Sequence, residues 1–266
     1  MSRNLLASTA FFVLILSAAI LAEPVTSDRL ASGLLPSGDT RGEIIELDAE
    51  GGSFIAIFQP SGRDQSHGGI ILLHDQGTSA NSLELIRPLR LGLSQAGWDT
   101  LSLQLPSGPG DQIHAASQSR RAIILARLQA GLAWLKARKS LNQAIVAQGN
   151  SAGPALQFAA GKPPRELRAL VLVSSLIEPD EADGLADALI RIRLPLLDIY
   201  AERDHGAVLD AAQARRDAAA RRKDKKYSQV DIPGSVAGFF GLEESLLSRI
   251  RGWLAVNAKG DAIDTR

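Results

Sequence analysis

The residues best suited to chemistry stand between 143 and 158, where QAIVAQGNSAGPALQF runs from a short apolar stretch through Gly149-Asn150-Ser151-Ala152-Gly153 into a helical pattern. A serine with glycine two residues to either side, at a strand-to-helix junction, is the G-x-S-x-G arrangement that holds a nucleophilic hydroxyl exposed on a sharp corner. The glycines let strand and helix cross where a Cβ would not fit. A helix N-terminus there would favour developing negative charge. Such a serine needs a general base within about 3 Å. It also needs a carboxylate to orient that base. Asp204 lies just past the apolar run LLDIY (residues 196–200), at the strand-end edge where open α/β sheets bind ligands. Asp198, inside that run, is expected to be a structural hydrogen-bonder.

Four histidines could supply the base: His67, His74, His114 and His205. His74 and His114 both follow strand ends and could line the mouth of a site, which makes them the candidates for a relocated base. His67 lies in a polar turn, and His205 adjoins Asp204 on a turn where neighbouring side chains diverge. Each also reads as an ordinary solvated or hydrogen-bonded histidine. With no cysteine, no Cys/His ligand cluster and no G-x-G-x-x-G after the first parallel strand, neither a metal nor an organic cofactor is expected.

The elements that must position these residues alternate. Residues 43–47 and 53–59 are β-rich runs separated by the turn-forming DAEGG and predict an antiparallel hairpin. GIILL (residues 69–73) is a continuous apolar run, as expected of a strand covered on both faces. Helical spacing follows over 83–96, a strand over 98–105 and a long amphipathic helix over 117–138. After the serine come strand 169–173, helix 181–192, strand 196–200, helix 208–223, strand 227–232 and helix 242–256. Strands alternating with helices of this length imply an α/β fold, a mostly parallel central sheet with helices on both faces.

That order resembles the α/β-hydrolase fold from about residue 43 to 256, with three local matches. They are the serine corner, His74-Asp75-Gln76-Gly77 after the third strand, and LLDIYAERD (residues 196–204). The resemblance implies Ser151 as nucleophile, Asp204 as triad acid, and the backbone N–H groups of Ala152 and Gln76 as oxyanion donors. It also implies a histidine after the last strand, yet IPGSVAGFFG (residues 232–241) contains none. More narrowly, GGIILLHDQGTSANSLELIRPLRLGLSQAGWDTLSLQLP and IPGSVAGFFGLEESLLSRIRGWL resemble an uncharacterised family of exported proteobacterial α/β-hydrolase-like proteins. In relatives of that kind a histidine is expected near the place of Val236, Ala237 or Gly238.

Arg3 followed by LLASTAFFVLILSAAILA and small residues near Ala19 or Ala22 reads as a signal peptide over residues 1–22, hence export to the periplasm. An uncleaved inner-membrane anchor is the alternative. Residues 23–41 are expected to be an extended lead-in, 42–257 one domain, and 258–266 a flexible tail. The 29 basic residues balance 29 acidic ones, so no global field draws the chain to nucleic acid or an acidic membrane. The basic residues between 215 and 226 read as a solvated helix face. Two functional readings stand. One is a serine hydrolase acting on a small or lipid-like ester, its base relocated to His74 or His114. The other is a pseudohydrolase serving as a binding or interaction module of the cell envelope, its pocket holding an unknown ligand. A membrane-anchored structural protein is a third.

Overall fold

The computed structural model describes residues 40–106, 113–176 and 182–258. The signal peptide, most of the lead-in and residues 259–266 of the tail lie outside them. In chain order the elements are β1 (Glu43–Ala49), β2 (Gly52–Gln59), β3 (Gly69–Leu73), α1 (Ile86–Gln95), β4 (Asp99–Leu103), α2 (Ile113–Ala137) and β5 (Gln143–Gln148). They continue with α3 (Ala152–Ala160), β6 (Leu167–Val173), α4 (Ala182–Arg191), β7 (Leu196–Arg203), α5 (Gly206–Ala220), β8 (Tyr227–Val236) and α6 (Glu243–Asn257). The strands form one sheet in the order β1-β2-β4-β3-β5-β6-β7-β8. β1 and β2 form the expected antiparallel hairpin, β2 also runs antiparallel to β4, and β4 through β8 pair in parallel.

Strand side chains alternate between two cores. Ile71 and Leu73 of β3, with Ile145 and Ala147 of β5, face α2, α3 and α4. Ile70 and Leu72, with Ala144 and Val146, face α1 and α6. This is why the apolar runs are continuous: neither face meets water. β3 and β5 are neighbours, yet α1, which follows β3, lies on one face while α3, which follows β5, lies on the other. A crevice opens beyond the carboxyl ends of two such strands, and ligands of open α/β sheets bind there.

The basic residues between 215 and 226 are not all solvated. Arg215 and Arg222 are buried, the first bonded through Nε to Asp198 at 2.8 Å and the second to Asp224 at 3.0 Å. Asp198 is wholly buried and also accepts from Tyr227 Oη and Gln229 Nε2, so it is the structural hydrogen-bonder its mid-strand position implied.

Candidate functional site

β5 ends at Gln148, and a single 3₁₀ turn, Gly149–Ser151, leads into α3. Within that turn the left-handed backbone belongs to Gly149, φ +58°. The sharp corner therefore falls directly after the strand. Ser151, two residues later, already has helical angles (φ −76°, ψ −13°) and is 2% exposed. Its Oγ lies 2.8 Å from the Gln148 carbonyl and 3.2 Å from that of Leu73, tying the ends of β5 and β3 together beneath the corner.

A different side chain occupies the corner itself. Asp75, just after β3, turns its carboxylate so that Oδ1 accepts the N–H of Gln76 at 2.7 Å and of Asn150 at 2.8 Å. A Cβ built on Gly149 would sit 2.2 Å from the Asp75 carboxyl carbon and Oδ1. The carboxylate thus fills the space that a side chain on the corner residue would take. In a nucleophile elbow the oxyanion donors are the N–H of the residue after the corner and one from the loop after the third strand. Here those are Asn150 and Gln76. Of the two donors the resemblance implied, the Gln76 N–H meets the Asp75 carboxylate, whereas the Ala152 N–H donates to the Gly149 carbonyl inside the turn.

His74 is 1% exposed, and both ring nitrogens are engaged. Nε2 accepts the Leu105 N–H at 2.9 Å, and Nδ1 lies 2.7 Å from the Asp75 carbonyl, so Nδ1 carries the proton. Burial, aided by the nearby positive charges of Arg120 and Arg127, lowers its pKa to about 4, against the raising effect of the Asp75 carbonyl. The neutral ring braces the loop that delivers Asp75, and neither nitrogen is turned to Ser151. The other end of that loop is held by Arg90, which is wholly buried and donates to the Ala80 carbonyl, Asn81 Oδ1 and Ser102 Oγ.

A stability signature follows from His74. Its folded pKa lies below the ordinary value of 6.5, so the unfolded chain binds the extra proton first as pH falls. This contribution is complete above pH 6.5 and is lost progressively toward pH 4, by about 3 kcal/mol in total. Urea midpoints measured across that window should fall more steeply for the wild type than for His74→Gln. Parallel curves would contradict the assignment.

Asp204 follows β7 and is 8% exposed. Oδ2 accepts from Ser174 Oγ at 2.6 Å and from the Ala201 N–H at 3.0 Å, and Oδ1 from the His205 N–H at 2.8 Å. Ser174, with φ +47°, follows β6, and the Leu176 N–H reaches the Gly149 carbonyl. Gly149, Ser174 and Asp204 therefore share one edge of three consecutive strands, with no imidazole among the partners of Asp204 within the described residues. The His205 ring is exposed at the start of α5. His67 lies at the far end of the sheet, its ring 5.8 Å from that of Trp98. His114 falls in the first turn of α2, and its side chain lies outside the described residues. β8 extends to Val236, within the segment where a histidine is expected, and the loop beyond it holds Phe239 with φ +58° and wholly buried. Among the described residues no group of His, Cys, Asp or Glu could hold a metal ion.

The residues that the sequence reading missed are Gly149, Asn150 and Asp75. The signals were the glycine immediately after the apolar run, and an aspartate at the second position of His74-Asp75-Gln76-Gly77.

Solved structures with this fold include a putative α/β hydrolase of unknown function from Agrobacterium tumefaciens. It is 17% identical with a TM-score of 0.65, over 80% of this chain and 95% of that one. A Pyrococcus furiosus esterase is 16% identical with a TM-score of 0.64, over 80% and 89%. A dienelactone hydrolase from Anabaena variabilis is 19% identical with a TM-score of 0.65, over 82% and 99%. The fold is that of the α/β hydrolases. Comparison with curated protein sequences returns no match. The model of a family described as protein of unknown function (DUF3530) matches residues 18–122 and 109–256, and the chain belongs to that family.

Proposed function

We propose that this protein is a non-catalytic α/β-hydrolase-fold module, exported to the cell envelope, that binds a ligand or partner instead of hydrolysing an ester. The observation that carries the reading is the Asp75 carboxylate at the corner, accepting both N–H groups that an oxyanion would need. An anion already seated there opposes the approach of a second negative charge. Gly149 at the corner offers no nucleophile, and Ser151 is enclosed with its hydroxyl turned to carbonyls. Asp204 is held by Ser174 and two backbone N–H groups, which supports a structural role for it. Loss of the histidine from a serine triad lowers kcat by about 10⁶. The Arg3-led apolar segment supports export. Among the described residues no helix is long and apolar enough to cross a membrane.

Treatment of the purified protein with a fluorophosphonate, followed by intact mass and peptide mapping, tests the reading. No adduct should form over hours in the folded wild type. An adduct at Ser151, abolished by Ser151→Ala and weakened by His74→Ala or His114→Ala, would restore the hydrolase with a relocated base.

A further inference from the structure

At the opposite end of the sheet, where β3, β4 and β5 begin, the loop before β3, the turn after α2 and the last turns of α6 enclose a cleft of about 950 Å³. That volume suits an organic ligand. Its walls carry Arg63, Arg138, Lys139 and Arg251 against one carboxylate, Asp99. Asp99 is occupied, accepting the Ser61 N–H at 2.9 Å and Ser140 Oγ at 2.7 Å. Arg138 is committed to the rings of Phe58 and Trp134, 4.8 and 4.7 Å away. Arg63, Lys139 and Arg251 have no ion-pair partner among the described residues.

Helices α2 and α6 end at this edge, and cations near helix C-termini answer the macrodipole. That accounts for Lys139, which follows α2 closely. It does not account for Arg63, which is on no helix, or for Arg251, which precedes the last turn of α6; the dipole effect fades within one turn. Three positive charges with no ion-pair partner among the described residues, from three separate segments, thus line one cleft in a chain whose net charge is zero. The cleft is preformed as well. Asn142 Nδ2 donates to the His67 carbonyl at 2.8 Å and to the Ala258 carbonyl at 2.7 Å, fastening the loop to the end of α6. Trp98 and His67 form an aromatic wall.

We propose that this cleft binds a phosphate-bearing organic anion through Arg63, Lys139 and Arg251. Guanidinium groups match phosphate oxygens in pairs, and the lysine adds a point charge. The ligand is either a soluble phosphate ester or the headgroup of an anionic phospholipid, and the inference stands apart from whether the corner at Gly149 is catalytic.

The test uses the full chain. Calorimetric titration with glycerol phosphate probes the soluble source, and cosedimentation with phosphatidylglycerol vesicles, against phosphatidylcholine alone, probes the lipid. The triple variant Arg63→Gln, Lys139→Gln, Arg251→Gln should weaken binding at least tenfold. A charge-matched control on an exposed surface, Arg221→Gln, Lys223→Gln, Lys225→Gln, should leave it unchanged. All three proteins carry the same apolar leader, so their differences read the cleft. Binding of glycerol phosphate identifies a soluble ligand, and binding to the anionic vesicles alone identifies a headgroup. No binding to either probe, or equal weakening by both triple variants, overturns the proposal.

Discussion

Gly149→Ser is expected to destabilise the protein by on the order of 3 kcal/mol or more, and Asp75→Gly in the same chain should recover the part of that loss that the overlap causes. The new Cβ would lie 2.2 Å from the Asp75 carboxylate, an overlap that neither side chain can absorb in place. The left-handed backbone at φ +58° adds about 1–2 kcal/mol for any residue with a Cβ. Expelling Asp75 also forfeits two charge-assisted hydrogen bonds, each worth about 1.5–3 kcal/mol. Removing Asp75 alone leaves the two donors to water and is milder. The double variant keeps the backbone strain and lacks the same two hydrogen bonds but is free of the overlap, so a thermal or urea double-mutant cycle should give a coupling of about 1–3 kcal/mol. Additive effects, or a Gly149→Ser protein as stable as the wild type, would place the corner elsewhere.

Asp198→Ala should cost about 3–5 kcal/mol, because it strands a charge that the fold has enclosed. The Arg215 and Asp198 side chains are 1% and 0% exposed. Asp198 Oδ2 accepts from Arg215 Nε at 2.8 Å, Tyr227 Oη at 2.7 Å and Gln229 Nε2 at 2.9 Å. Burial, then the neighbouring carboxylate, drives the Tyr227 pKa upward, so its hydroxyl stays a donor at any ordinary pH. The truncation leaves a guanidinium, a phenol and an amide without their acceptor. For a domain of this size the melting midpoint should drop by about 6–20 °C. The double replacement Asp198→Leu, Arg215→Leu should be less damaging than Asp198→Ala, since no charge is left alone. If the single variant melts with the wild type, the pair carries no such role.

Most of the fold was legible because it rests on local pattern. GIILL and ALVLV are continuous apolar runs, LLDIY is broken only by Asp198, and each became a parallel strand buried on both faces. The site was less legible for physical reasons. G-x-S-x-G spacing is satisfied at Ser151, but a corner is set by where the strand stops and which residue takes positive φ, and Gly149 does both. Since Gly149 belongs to either reading of the motif, the spacing alone could not choose. The role of Asp75 depends on its distance from Asn150, a contact between segments far apart in sequence. Arg215 was readable and missed: Val208, Ala212, Arg215 and Ala219 follow one helical stripe, and all are buried. Helical period, rather than residue type, put this arginine inside.

The occupied corner is tested most directly by the amide proton shifts of Gln76 and Asn150 in the wild type and in Asp75→Asn. A carboxylate accepting both N–H groups draws both resonances downfield, and replacing its charge with a neutral amide should move both upfield together. Gln76 adjoins Asp75 and would respond to almost any change there, so Asn150 decides. A shift at Asn150 equal in direction to that at Gln76 places the carboxylate across the corner. An unmoved Asn150 would mean that its N–H is free to receive an oxyanion, and the case for a non-catalytic corner would fail.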